Sequence, residues 1–149
     1  MTKLSLAPFV VREGEGASTR FVGALMVKKA AAAETGGVFD LLDQAVPGGY
    51  AAPRHIHARE DEAWYLLEGE ATFYCGGQTF HAERGSFVFL PRGVEHTFKV
   101  GPAGARLLTM TFPSGFAAFV DETGDTEDPA ALAAIAARHG IEITGPPPA

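Results

Sequence analysis

Between residues 19 and 112 the chain runs as short stretches rich in β-branched and aromatic residues, broken every few positions by glycine, proline or a charged cluster. That rhythm is wrong for strands alternating with long helices, and it predicts a sandwich or barrel instead. The stretches are RFVGALMV, VFDLLDQAV, APRHIHA, EAWYLLEG, EATFYCGG, QTFHA, GSFVFLP, EHTFKV and ARLLTMTF. Glycine pairs beginning at Gly36, Gly48 and Gly76 separate several of them. Gly76–Gly77 is a two-residue hairpin signal, because glycine accepts the positive φ of tight primed turns, so the sheet is expected to be largely antiparallel. The tract KKAAAAETGG permits a helix, but Ala30 to Ala33 is short enough to be a loop or a single turn.

The pattern changes after residue 113. PSGFAAFVDETG predicts a short helix with Ser114 as N-cap, Phe116, Phe119 and Val120 on one face, and Gly124 as stop. EDPAALAAIAARHG predicts a second, with Asp128 as N-cap, Pro129 in the first turn, and Arg138 and His139 near the negative end of the helix dipole. TGPPPA is expected to form no regular structure. With 149 residues and 46% hydrophobic content, the chain can bury one sizeable core. A single domain over 1–149 is expected, with a barrel core at about 19–113, a helical extension at 114–140 and a proline-rich tail at 144–149.

Twelve basic and 18 acidic residues leave a net charge of −6, which with no basic patch argues against a nucleic-acid partner. Cys75 is the only cysteine, so an internal disulfide is excluded and a reducing, cytoplasmic setting is expected. The N-terminal segment has no signal-peptide core, and no stretch approaches a membrane span, so a soluble protein without a membrane partner is expected. FVGALMV reads as an apolar strand with few partners in a small barrel. As an edge it would be a liability, and a homodimer is expected to cover it.

The densest chemistry lies in PRHIHAREDEAWYLLEGE, residues 53–70. Side chains alternate along a strand, so His55 and His57 share a face. The polar AREDE can turn the chain back and aim Glu62 at them. In GSFVFLPRGVEHTFKV a Pro91–Gly93 turn precedes His96, a third imidazole for the same cluster. Imidazole nitrogens with one carboxylate suit a divalent transition metal, whereas Mg²⁺ and Ca²⁺ prefer oxygen alone.

These residues carry a resemblance to the cupin superfamily. Its first motif, G-x5-HxH-x4-E-x6-G, is met by Gly49, His55, His57, Glu62 and Gly69; its second, G-x5-PxG-x2-H-x3-N, by Gly85, Pro91, Gly93 and His96. Val100 stands where the family usually has asparagine. The resemblance implies an all-β double-stranded β-helix, or jelly-roll barrel, with the two helices outside it. It further implies one divalent metal (Fe, Mn, Ni, Co, Cu or Zn, not distinguished by these ligands) on His55, His57, Glu62 and His96. Over residues 19 to 145 the chain looks like a bacterial subgroup described as quercetin-dioxygenase-like, though one barrel serves many chemistries.

Bland alternatives stand beside these assignments. Glu60 has the same strand parity as Glu62 but sits at the wrong motif distance, and with Asp61 it is expected to be a solvated turn residue. His81 is expected at the surface, His139 at a helix end, and Cys75 as a structural thiol. Parity puts Trp64 beside Glu62, and Phe98 and Val100 beside His96, as pocket walls; Phe112 and Phe116 close a mouth or dock a helix. The expected function is metal-dependent, dioxygenase-like chemistry on a small aromatic or carbonyl ligand, with Glu62 doubling as a general base. The alternatives are a non-catalytic small-ligand or metal-binding module, and a sugar or keto-acid isomerase.

Overall fold

The computed structural model describes residues 6–149; residues 1–5, which begin the segment expected to lack a signal-peptide core, lie outside the described residues. The strands are β1 (Ala17–Phe21), β2 (Ala24–Ala30), β3 (Asp40–Val46), β4 (Arg54–His57), β5 (Asp61–Cys75), β6 (Gln78–Glu83), β7 (Phe87–Leu90), β8 (His96–Phe112) and β9 (Ile141–Gly145). The helices are α1 (Ala32–Thr35), α2 (Phe116–Thr123) and α3 (Pro129–Arg138). The strands curl into one sheet whose pairings are all antiparallel, in the path β1-β2-β3-β8-β4-β9, with β5 bridging β8 to β6 and β7. This is the expected jelly-roll barrel. No helix among the described residues is long and apolar enough to cross a membrane.

Two long strands organise it. EAWYLLEG and EATFYCGG are one strand, β5, and EHTFKV and ARLLTMTF are one strand, β8; these pair from Asp61↔Phe112 to Cys75↔His96. The register slips at Leu66/Glu68 and at Gly69/Ala71, so the pair bends where the sequence shows turn residues. Gly69 is required there: its φ is +78°, and a Cβ would lie 2.2 Å from the Gly104 carbonyl oxygen. Gly76 and Gly77 make the expected hairpin, joining Cys75↔Gln78 with φ of +55° and +81°.

RFVGALMV departs from expectation. It is a hairpin of β1 and β2 turning at Val22–Gly23, and β2 is paired with β3 on its other side, so FVGALMV is not the unpartnered strand on which dimerisation was argued. A ninth strand, β9, has no counterpart among the β-rich stretches of the sequence. Ile141 and Ile143 pair with β4, and Thr144 and Gly145, assigned to the irregular tail, end the strand. The Ala30–Ala33 tract ends β2 and opens α1, which is one turn.

The helices pack across one end of the barrel, where Phe116, Phe119, Val120, Leu132 and Ala136 join Phe21, Met26 and Ile141 in one apolar cluster. Asp128 caps α3 as expected, accepting from Ala131 N at 3.0 Å, with Pro129 in the first turn. The Ser114 cap on α2 is not formed. Ser114 Oγ donates instead to the Phe39 carbonyl at 2.7 Å, and Asp40 of β3 reaches across to accept from the N–H groups of Gly115 and Ala117, both at 2.9 Å. A buried carboxylate from another element satisfies the helix start better than a local hydroxyl, and it fixes α2 to the barrel.

Candidate metal centre

Each candidate ligand is placed by its strand. His55 and His57 are on β4 with one residue between them, and β4 meets the start of β8 through His55↔His96. The bend at residues 58–60 turns the chain into β5, whose second residue is Glu62. Inward parity then brings all four side chains to one spot: their donor atoms lie within 4.8 Å of one another. Glu62 Oε1 is 2.5 Å from His57 Nε2, 2.9 Å from His96 Nε2 and 4.0 Å from His55 Nε2.

The outer nitrogens are already committed. His55 Nδ1 is 2.6 Å from the Pro53 carbonyl oxygen, His96 Nδ1 is 3.1 Å from that of Val94, and His57 Nδ1 is 3.2 Å from Glu60 Oε2. A ring that donates from Nδ1 keeps the Nε2 lone pair free, the arrangement that orients metal-bound imidazoles. Three Nε2 atoms therefore face one carboxylate. His57 Nε2 is close to Glu62 but out of line, and this buried nitrogen has no hydrogen-bond partner. An unpartnered nitrogen among converging donors of this type fits a divalent transition metal.

Without a metal the charge is shared among the same four groups, and an ion bound there would displace the proton that His57 otherwise keeps. Burial, helped by His96, pulls His55 down to about 4, so its ring is neutral. Burial would also lower His57, but Glu62 and Glu60 outweigh it and carry that ring up to about 10. Burial alone would raise the Glu62 carboxyl; the His57 and His96 rings hold it well below the usual carboxylate range. Glu62 is thus an anion held by imidazoles.

Glu60 is not the solvated turn residue expected from motif spacing: it is 4% exposed and anchors His57 from behind. Its signal was its parity, shared with Glu62. Gly115 makes room for it, since a Cβ there would lie 2.5 Å from Glu60 Oε1. Asp61 does face outward, where Arg92 donates to it from the backbone N at 2.8 Å and from Nε at 3.1 Å.

Beside the ligands lies a cavity of about 70 Å³ with mostly apolar walls. Trp64, Phe98 and Phe116 are among the residues that line it, with Tyr50, Met26 and Phe119. Val100 and Phe112 do not line it. Val100 points inward but lies further along β8, packed with Leu66 and Phe73 away from the ligands. Phe112 has outward parity, because Leu107, Thr109 and Thr111 take the inward positions on that half of β8, and it is 36% exposed against Phe39. The polar lining residues Gln44 and Thr109 bond each other at 2.8 Å. Burial pushes the Tyr50 hydroxyl up to about 12. His81 is at the surface, 3.2 Å from Glu70, and His139 pairs with Glu122 at 2.5 Å at the end of α3. Cys75 is buried, and that burial raises its thiol.

Known proteins match this arrangement. Residues 43–111 match the model of the cupin domain, a span holding all four candidate ligands. A curated relative, quercetin 2,3-dioxygenase of Bacillus subtilis, is 27% identical over 118 residues. That match takes in 79% of this chain but only 35% of the relative, so the chain spans about a third of its length. Among solved structures, an RmlC-like cupin from Shewanella frigidimarina superposes with a TM-score of 0.63 at 17% identity, over 74% of this chain and 96% of that one. A predicted oxalate decarboxylase from Thermotoga maritima gives 0.63 at 21% identity, over 70% and 99%. These two share the fold. Motifs, domain match and barrel agree, and the chain belongs to the cupin superfamily.

Proposed function

We propose that this cupin is a metal-dependent, dioxygenase-like enzyme of the quercetin-dioxygenase-like subgroup, acting on a small aromatic or carbonyl compound. The observation that supports it is the convergence of three imidazole Nε2 atoms on Glu62 Oε1 at the wall of an apolar cavity. His55, His57, Glu62 and His96 would hold one divalent metal. Bound there, it would polarise a ligand oxygen or activate dioxygen. The protein's part is positional: Trp64 and Phe98 flank a flat ligand, Phe116 and Phe119 exclude water above it, and Tyr50 stays protonated as a donor. Glu62 serves as general base when its carboxylate is released.

Reconstitution tests this. Metal-free protein is loaded separately with iron, manganese, nickel, cobalt, copper or zinc, and oxygen uptake is followed over flavonols, catechols and diketones. Uptake that needs the metal and disappears in His96→Ala is expected. Ligand binding without turnover under every metal would favour a binding module instead. A sugar isomerase is the weaker reading, because hydroxyl-rich ligands need several free polar partners and the cavity walls are mostly apolar, with the Thr109 hydroxyl already donated to Gln44 Oε1.

We also propose a cytoplasmic homodimer. The single thiol supports the compartment. The outward aromatics of β5 and β7, with Phe87 62%, Phe89 52% and Tyr65 39% exposed, support a second copy as the partner. A monomeric mass by light scattering at micromolar concentration would remove the dimer.

A further inference from the structure

Val22 has a φ of +45° and is the one non-glycine residue with positive φ among the described residues. It and Gly23, at +84°, form the two-residue turn between β1 and β2, with both central residues left-handed as a type I′ turn requires. Asparagine or glycine suits the first position. A β-branched side chain is crowded there, so valine is a strained choice.

The strain falls at the cavity. Val22 lines it and is half-buried, as are Pro53, His55 and Ile143, so these residues border its opening. The turn is held down on α2: Val22 N–H donates to the Gly124 carbonyl at 3.1 Å. Lys28 and Thr19 of the same hairpin reach Asp121 at 2.6 and 3.1 Å. His55 is the metal-ligand candidate on this rim, so anything entering beside Val22 arrives at the metal side.

We infer that Val22 is a specificity-determining rim residue, kept in a strained turn so that its isopropyl group narrows the entrance and admits only small, flat, apolar ligands. This rests on the cavity being the ligand site of the proposed function. Strain concentrated at one rim residue, in a hairpin whose other contacts to α2 are ordinary, is explained by what that side chain does at the opening.

The chain carries its own reporter, because Trp64 is its only tryptophan, lines the cavity and is 2% exposed. Quenching of its fluorescence by acrylamide is measured on the full, metal-free chain. Val22→Gly and Val22→Asn should each raise the quenching constant several-fold, and Val22→Ile should leave it unchanged. Val22→Asn should melt no lower than the native chain, since Asn-Gly favours the turn. Native-level quenching in both Val22→Gly and Val22→Asn would overturn the inference, as would a drop of many degrees in the melting temperature of Val22→Asn. The measurement needs neither metal nor substrate. Absent oxygen uptake by the native chain would therefore sink the functional proposal while leaving the rim result standing.

Discussion

The two ends of this barrel are built from the same two strands and do opposite things. At one end β5 and β8 fill the interior with Leu66, Phe73, Val100 and Leu107, each at most 2% exposed, and Phe73 stacks on Phe98 with centroids 5.5 Å apart. At the other the same inward parity presents Glu62, His96, Thr109 and Thr111. The polar end is buried because α2, α3 and the β1–β2 hairpin pack over it. Apolar packing at one end thus holds the frame on which the other can keep buried, mutually compensated charges.

The largest effect expected from separating the ends comes from the closed one. Phe73→Ala should destabilise the fold by about 3–5 kcal/mol in denaturant titration, through lost burial and a cavity that close packing cannot refill. Metal content per folded chain should be unchanged. If the metal is lost as well, the two ends are not separable as described.

Metal removal comes next. At a thousandfold excess over the dissociation constant a bound ion adds about 4 kcal/mol to stability, and a chelator should reverse that shift in the thermal midpoint. His57→Ala and His96→Ala should show no such shift, and elemental analysis should find them empty where the native chain holds close to one ion. Full retention in both variants would refute the ligand assignment.

A smaller loss is expected where the cover meets the barrel. Asp40→Ala should lower stability by roughly 1–3 kcal/mol, because the N–H groups of Gly115 and Ala117 lose their acceptor. The loss should appear as early exchange of α2 amides, with β5 and β8 still protected. Uniform loss of protection would show that the cover does not open on its own.

Least of all is expected at the surface. Glu122, on Arg138 and His139, has its carboxyl held below the usual range by those two neighbours. Any stability it adds is present above the unfolded carboxyl's pKa and is lost as pH falls through the lower folded value. Solvent screens the pair, so Glu122→Gln should leave the melting midpoint unmoved at neutral pH and at pH 4. A clear shift would mean that the α2–α3 contact supports the cover more than burial indicates.

Much of the candidate site was readable along the chain, because a cluster of side chains on strands is a matter of parity and spacing. His55 and His57 two apart, Glu62 after a polar turn and His96 after Pro91–Gly93 needed only alternation and a motif to be grouped. The cavity was half readable. Trp64 and Phe98 follow from the parity of the candidate ligands beside them, whereas the place of Phe112 at the strand-to-helix junction does not say which way it faces; the slip that leaves residues 101–104 outside the β5 register turns it outward. Motif spacing gives Glu60 no role, and only its burial against Gly115 shows it as the anchor of His57.

By itself, then, the sequence determined what depends on local order: an antiparallel β pattern, the Gly76–Gly77 hairpin, two C-terminal helices, and a set of candidate ligands at fixed intervals. Tertiary structure decided whatever depends on residues distant in the chain. Asp40 caps α2 from 75 residues away, the Ile141–Gly145 segment becomes a strand because β4 offers it an edge, and the β1–β2 hairpin closes over the cavity through Val22 and Gly124. The physical reason is that a hydrogen bond or a covered surface needs a partner, and local propensity does not say which distant element will supply it.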